Sequence, residues 1–110
     1  MEIKFLGNKE LADRKFKILS AHSRRYYDDD GMQTKEEKID IPELASLSGL
    51  IEEAIGRIKQ LAMNDKFYAD LTYSDTCEVQ LDEEYIDISI GYQNETYGTD
   101  IQVSYHVDWE

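Results

Sequence analysis

Apolar and polar residues alternate along most of the C-terminal part of the chain. Every second residue is apolar in four segments, 67–73, 77–81, 86–92 and 101–107. A period of two is typical of strands that bury one face, because successive side chains point to opposite sides of a sheet. The connecting segments are short and rich in turn-forming residues, 74–76, 82–84 and 93–98. The pattern predicts four antiparallel strands, since parallel pairs need much longer connections.

The same alternation predicts that one face of this sheet packs on the core and the other faces solvent. Six acids fall on the predicted solvent face, Asp70, Glu78, Asp82, Asp87, Asp100 and Asp108. Side chains on one face repeat about every 6.6 Å along a strand, and neighbouring strands lie about 4.8 Å apart. At this spacing the carboxylates repel one another. We expect counterions, the N-terminal half of the chain or a positively charged partner to offset them.

A helix is predicted before the sheet, from residue 43 to residue 63. Its apolar residues recur at helical spacing and form a broad stripe, Leu44, Leu47, Leu50, Ile51, Ala54, Ile55, Ile58, Leu61 and Ala62. Pro42 precedes it, and proline is tolerated in the first turn of a helix. Gly49 and Gly56 lie inside it, where each costs up to about 1 kcal/mol against alanine. We expect both to mark a close approach of the helix to another element.

The N-terminal part of the chain allows two interpretations. Residues 2–6 are predicted to form a short strand. For residues 9–27 the favoured prediction is a helix with Asn8 as its N-cap. Five residues recur there at helical spacing, Ala12, Phe16, Leu19, Ser23 and Tyr26. The alternative is a strand from residue 15 to about residue 20, with Phe16 and Ile18 facing the core.

Together these elements predict one α+β domain spanning residues 1–110. Its four-stranded antiparallel sheet packs on the central helix, with the N-terminal helix beside it. Residues 32–38 are predicted to form a charged loop, and residues 39–41 can form an edge strand. A chain of this length can build one hydrophobic core without disulfides or a structural metal.

The formal net charge is −12, from 24 acidic and 12 basic residues. Nearly all of it falls in the predicted sheet, because residues 67–110 contain eleven carboxylates and no Lys or Arg. Such a charge disfavours direct binding to nucleic acid or to anionic lipid and favours basic partners. The predicted N-terminal helix carries a basic cluster, Lys15, Lys17, Arg24 and Arg25. We expect this cluster to offset the acids within the fold or across a dimer, and a small anion or nucleic-acid site is the alternative.

The sequence holds little that points to catalysis, to a metal or to a cofactor. His22 and His106 lie far apart and Cys77 stands alone, without the spacings typical of zinc sites. Cys77 and His106 are predicted on opposite faces of the sheet, which argues against a nucleophilic pair. An Asp-rich turn at 28–31 resembles part of a calcium-binding loop, but Tyr26 would occupy its first ligand position. We predict a non-enzymatic protein that binds no metal and no cofactor.

The composition also bears on the compartment. One cysteine cannot form an internal disulfide, which favours a reducing environment. No apolar run approaches the roughly 20 residues needed to span a bilayer. The N-terminus lacks the cationic and then apolar order of a secretion signal. We expect a cytoplasmic location in a bacterial host cell and no membrane partner.

The remaining candidate site is the predicted solvent face of the sheet. Tyrosine and tryptophan anchor protein interfaces, and surrounding acids steer a basic partner into contact. The predicted partner-binding residues are Tyr68, Asp70, Glu78, Asp82, Tyr85, Asp87, Tyr97, Asp100, Asp108 and Trp109. The alternative is a solvated face that keeps a small protein soluble, but such faces usually mix charges of both signs.

These features favour a non-enzymatic inhibitor of a basic nucleic-acid-binding protein or nuclease, with carboxylates standing where phosphates bind. In size, charge and α+β layout the chain resembles the small acidic proteins that phages use against host nucleases, among them anti-CRISPR proteins and DNA mimics. An immunity protein that neutralises a basic toxin is a second interpretation.

Two other classes stay open. A small enzyme or ligand-binding domain could use a site at the sheet edge, drawn from Asp82, Glu83, Glu84 and His106. Such a site needs a pocket with convergent polar groups. A subunit of a larger assembly is the remaining alternative, which the oligomeric state in solution would test.

Overall fold

Strands make up most of the fold, and one helix packs against them. The computed structural model describes residues 2–27, 31–38, 44–64, 72–93 and 98–110. In chain order the elements are β1 (Glu2–Gly7), a 3-10 helix (Lys9–Asp13), β2 (Phe16–Tyr27), β3 (Gly31–Glu36), β4 (Leu44–Ala45), α1 (Leu47–Met63), β5 (Thr72–Leu81), β6 (Tyr85–Gln93) and β7 (Gly98–Trp109). The predicted strand over residues 2–6 is confirmed as β1.

The described strands form one mixed sheet in the order β1-β5-β6-β7-β2-β3. β1 pairs in parallel with β5, and every other described pair is antiparallel. The short β4 pairs with the start of β2, while β3 pairs with the second half of β2. Strands from the N-terminal half of the chain therefore flank the three C-terminal strands on both sides.

The predicted N-terminal helix over residues 9–27 is wrong. After the 3-10 helix the chain forms β2, which pairs with β7 along its whole length. The register shifts between Ile18 and Ser20, so Leu19 forms a bulge and is 57% exposed. The bulge interrupts the alternation of apolar residues, and the interrupted pattern imitates helical spacing. The alternative strand prediction is right in type, and it stops near residue 20 because the bulge breaks the pattern there.

The predicted four-stranded antiparallel sheet is also wrong, because the described sheet has seven strands and one parallel pair. The predicted turn at 74–76 lies inside one continuous strand, β5, which joins residues 72–73 of the first predicted strand to the second, while residues 67–71 lie outside the described residues. Its register with β6 shifts between Tyr73 and Cys77, so the turn-forming residues occupy an irregularity inside a strand. The predicted loop over residues 32–38 is mostly strand, since β3 ends at Glu36.

The central helix is confirmed, but it starts later than the sequence predicts. Ser46 is its N-cap, and Leu44–Ala45 pairs with β2 instead of joining the helix. The predicted edge strand at 39–41 and Pro42 lie outside the described residues. With 17 residues α1 is the only described α-helix, and no described helix is long and apolar enough to cross a membrane.

The predicted inward face of the three C-terminal strands is confirmed from Cys77 onward, whereas Tyr73, also in the predicted inward phase, is 59% exposed. Its other apolar side chains are at most 5% exposed, namely Cys77, Val79, Leu81, Ile86, Ile88, Ile90, Tyr92, Ile101, Val103, Tyr105 and Val107. Helix α1 packs on this layer with Leu47, Leu50, Ile51, Ala54, Ile58 and Ala62. Each fully buried aliphatic side chain contributes about 1.5–3 kcal/mol, so this layer is the main source of stability.

Gly7 ends β1 with a φ of 78°. A β-carbon there would lie 2.2 Å from the carbonyl oxygen of Leu81 on β5. We expect Gly7→Ala to lower the free energy of unfolding by more than about 1 kcal/mol, because it adds left-handed backbone strain and a clash with the backbone. Urea unfolding followed by circular dichroism measures this loss.

Gly56→Ala is the matched control. A β-carbon at Gly56 would meet nothing within 4 Å, and one at Gly49 would meet only Ser46 Oγ at 3.6 Å. The expected close approach at these glycines is therefore wrong. Alanine at the exposed Gly56 should raise the free energy of unfolding by about 0.5–1 kcal/mol. If Gly7→Ala proved as stable as the wild type, β1 would not be held against β5 as described.

Candidate functional site

The face of the sheet opposite α1 is not covered by any described element, and we call it the open face. On β5, β6 and β7 it carries Glu78, Gln80, Tyr85, Asp87, Ser89, Asp100, Gln102, Ser104, His106 and Asp108. Cross-strand pairs such as Glu78 with Ser89 and Ser89 with Gln102 place these side chains on one side. The sequence prediction of which residues share this face is confirmed for them.

Four acids of the open face form what we call the acidic strip, Glu78, Asp87, Asp100 and Asp108. Glu78 and Asp87 are diagonal neighbours across β5 and β6, about 7–8 Å apart. Asp100 and Asp108 lie eight residues apart on β7, which corresponds to about 26 Å along the strand. Asp87 is half-buried and accepts a hydrogen bond from Ser104 Oγ. The other three acids are exposed.

Strands β1 and β2 bring basic residues to the edges of the acidic strip. Lys4 of β1 lies opposite Glu78, and Lys17 of β2 lies opposite Asp108. Opposite charges at facing positions of neighbouring strands attract, by about 0.2–1 kcal/mol for each pair. The acids are therefore segregated along the chain but not across the sheet. The position of Lys17 agrees with the expectation that the basic cluster offsets the acids within the fold, whereas Lys4 was not part of that expectation.

The basic cluster of the sequence lies before and along β2, not on a helix. Lys17 and Arg24 face the open side, as their partners Asp108 and Gln102 do. Arg25 faces α1, where its Nη2 donates a hydrogen bond to the carbonyl oxygen of Leu61. The alternative strand interpretation ended near residue 20 and did not reach these arginines, but continuing its alternation along β2 separates them.

The two predicted aromatic anchors that are described differ in their surroundings. Tyr85 is 42% exposed on the open face, with its ring centroid 4.9 Å from that of His106. Trp109 is half-buried, and its ring packs edge-on against Phe16 at 5.0 Å. Its Nε1 donates a hydrogen bond to the carbonyl oxygen of Asp82 at 2.9 Å. Trp109 therefore presents less surface to a partner than the sequence suggests.

The structure brings half of the predicted partner-binding residues together. Glu78, Tyr85, Asp87, Asp100 and Asp108 share the open face. Asp82 is exposed in the turn between β5 and β6, where its Oδ1 accepts a hydrogen bond from the N–H of Glu83 at 2.8 Å. Three predicted residues lie outside the described ranges, Tyr68, Asp70 and Tyr97.

A polar cluster on the covered side joins the sheet edge to α1. Glu37, just after β3, accepts a hydrogen bond from Ser23 Oγ at 2.6 Å and lies 3.4 Å from Arg57 Nη1. Arg57 also pairs with Glu53 at 3.0 Å and donates a hydrogen bond to the carbonyl oxygen of Lys38. Sequence reasoning missed this cluster, because its members come from three separate segments without a shared spacing.

The side chain of Tyr105 is buried beside this cluster. Burial raises the pKa of Tyr105 to about 12, an effect that the Arg57 guanidinium opposes and the carboxylates of Glu53 and Glu37 reinforce. The hydroxyl therefore stays protonated at physiological pH and does not serve as a base.

The described residues contain no group of three or more His, Cys, Asp or Glu placed to hold a metal ion. Cys77 is buried on the covered side. Burial raises the pKa of the Cys77 thiol, and the Glu78 carboxylate adds to the rise. A thiol with a raised pKa reacts slowly, because the thiolate is the nucleophile.

No protein-family model, no curated protein and no solved structure matches the chain. The roles of the open face and of the polar cluster are therefore assigned from geometry and charge alone.

The buried Tyr105 should make stability fall at high pH. Its folded-state pKa of about 12 lies above the ordinary value of 10.0, so the folded protein holds this proton more tightly than the unfolded chain. The resulting stabilisation is complete below the ordinary pKa and is lost as the pH rises toward the folded-state pKa. The loss reaches up to about 1.4 kcal/mol per pH unit, measured by urea unfolding at increasing pH.

Tyr105→Phe supplies the comparison, since it removes the titrating hydroxyl and keeps the ring. We expect this variant to lie within about 1.5 kcal/mol of the wild type at neutral pH. Its stability should decline less steeply in the alkaline range. Equal slopes for the two proteins would show that Tyr105 has no raised pKa.

Proposed function

We propose that the protein is a non-enzymatic inhibitor that binds a basic nucleic-acid-binding protein or nuclease through the open face of its sheet. The acidic strip is the observation that supports this proposal. It lies on three neighbouring strands whose sequence, residues 72–109, contains no Lys or Arg. No described element covers it, so a partner can reach it directly.

The net charge explains how such a face finds its partner. A charge of −12 creates a negative field that attracts basic proteins and speeds their association. At physiological ionic strength the field decays over about 8 Å, so contact residues decide whether the encounter becomes a complex. Lys and Arg side chains that otherwise hold phosphates pair with Glu78, Asp100 and Asp108.

The length of the acidic strip suits a nucleic-acid channel. The about 26 Å between Asp100 and Asp108 corresponds to roughly eight base pairs of duplex at 3.4 Å per base pair. The strip carries far fewer charges than a duplex of that length. Charge alone therefore supplies only part of the affinity, and other contacts have to supply the rest.

Aromatic and basic residues of the open face supply these contacts. Tyr85 and Tyr26 are each 42% exposed there, and tyrosine is favoured at interface anchors. Lys4 and Lys17 border the strip and pair with acids of a partner that meets the face in one orientation. Mixed charges of this kind set the orientation of a complex more than its strength.

Reversing the charge of three exposed acids should abolish partner binding. The variant carries Glu78→Lys, Asp100→Lys and Asp108→Lys. All three residues are exposed, so we expect the fold to persist, although lysine at positions 78 and 108 faces Lys4 and Lys17 and replaces two attractions of about 0.2–1 kcal/mol each by repulsions. Immobilised protein is incubated with bacterial lysate, washed at low and high salt, and the bound proteins are identified by mass spectrometry. We expect a basic nucleic-acid-binding protein that salt elutes from the wild type and that the variant does not retain.

A second triple variant changes the net charge equally but leaves the open face unchanged. It carries Glu10→Lys, Asp13→Lys and Glu52→Lys, exposed residues of the 3-10 helix and of α1. This control should retain the partner. If the first variant still retained the partner, the proposed role of the open face would be wrong. If both variants lost the partner equally, net charge and not the open face would explain the binding.

The captured partner then tests inhibition itself. Adding the wild-type protein to the purified partner should reduce its binding to labelled duplex DNA. A partner whose DNA binding does not change would contradict an inhibitor of this class. The origin of the partner separates an anti-defence inhibitor, which meets a host nuclease, from an immunity protein, which meets a toxin.

A further inference from the structure

A cavity of about 320 Å³ lies between β2, β3 and the C-terminal end of α1. The residues around it that matter chemically are Arg24, Arg25, Thr34, Lys35, Leu61 and Asn64. Its size is at the lower end of the range of small-molecule sites. The cavity lies beside β2 and β3, the two strands farthest from β5 and β6 in the half of the sheet beyond β7. It is therefore separate from the centre of the acidic strip.

The charge of this cavity is opposite to that of the protein. Three of the 12 basic residues line it, Arg24, Arg25 and Lys35, although the side chain of Arg24 faces the open side of the sheet. None of its described lining residues is Asp or Glu, but one of them, Ser23, donates a hydrogen bond to the carboxylate of Glu37 at 2.6 Å. The chain as a whole repels anions, so an anion can bind only where cations are concentrated locally. Arg25 of β2 and Lys35 of β3 provide this concentration on the covered side.

The strand pairing arranges two of these cations on the covered side. Lys35 of β3 lies opposite Ser23 of β2, and Arg25 follows Ser23 on the same side of the strand. The hydrogen bond from Arg25 Nη2 to the carbonyl oxygen of Leu61 fixes the guanidinium at the end of α1 without changing its charge. A cation held in place before binding loses less entropy when a ligand arrives.

We propose that this cavity binds a small ligand through an anionic oxygen group, a phosphate or a carboxylate. Arg25 and Lys35 hold the charged oxygens in charge-assisted hydrogen bonds. Asn64 adds neutral hydrogen-bonding groups at the rim, and Leu61 offers an apolar wall. This site is independent of the proposed partner binding, because it uses other residues on the other side of the sheet.

Titration of the full-length, ¹⁵N-labelled protein with sodium phosphate and with sodium acetate tests the proposal. Sodium chloride keeps the ionic strength constant, so that general screening does not change during the titration. We expect saturable shifts of the backbone amides of Thr34, Lys35 and Asn64, with a dissociation constant on the order of millimolar. Saturation by phosphate alone would assign a phosphate site, and saturation by both anions a general oxyanion site.

Lys35→Ala should weaken this binding about tenfold, because it removes one charge-assisted contact. Lys35 is exposed, so the variant keeps the fold. Lys59→Ala removes an equal charge from the exposed side of α1 and should leave the dissociation constant unchanged. Shifts that do not saturate, or an equal loss in the two variants, would overturn the site. Partner capture by Lys35→Ala should match that of the wild type, which separates this proposal from the proposed function.

Discussion

The antiparallel pairing of β2 with β7 is the interaction on which the rest of the structure depends. It joins residues 16–27 to residues 99–109, and it extends the sheet formed by β5, β6 and β7 by the strands that follow. Without it, β7 would be an edge with unpaired backbone groups, and β3 and β4 would have no strand to join. The pairing also places Lys17 opposite Asp108, so a basic residue of the N-terminal half faces an acid of the C-terminal half.

The spacing of apolar residues predicts helices and strands where it is regular. The predictions fail where a strand is irregular or pairs with a distant part of the sequence. The apolar stripe of α1 and the alternation in β6 and β7 are continuous, so these elements and their inward faces follow from the sequence. In β2 the bulge at Leu19 interrupts the alternation, and in β5 the register shift after Tyr73 places turn-forming residues inside a strand. The parallel pairing of β1 with β5 cannot be predicted from either segment, because the paired residues are separated by most of the sequence. The open face was therefore predictable for three strands. That basic residues offset its acids was also expected, but which strands bring Lys4 and Lys17 to its borders was not.

The polar cluster on the covered side has a different role from the apolar core beside it. The Glu37–Arg57 pair is partly buried, with each side chain 15% exposed, and desolvation of such charges offsets much of their attraction. The contribution of Glu37 and Arg57 is to hold the segment after β3 against the helix. That contact links the end of β3 to α1, the two elements between which the cavity lined by Lys35 and Arg25 lies. A site between two elements keeps its shape only if something other than apolar contact sets their spacing.

The fold does not need the acids of the open face, and this bears on their function. Serine or threonine would serve as well at Glu78, Asp100 and Asp108, since exposed strand positions accept either. The carboxylates add to a net charge of −12, whose self-repulsion opposes folding. Lys4 lies opposite Glu78, Lys17 lies opposite Asp108, and Arg24 is a diagonal neighbour of Asp100, so this repulsion is only partly relieved. The proposed partner binding would explain why a charge that costs stability is concentrated on this face. The cavity on the other side has the opposite sign, so the proposed basic partner and the proposed anion would not compete for the same residues.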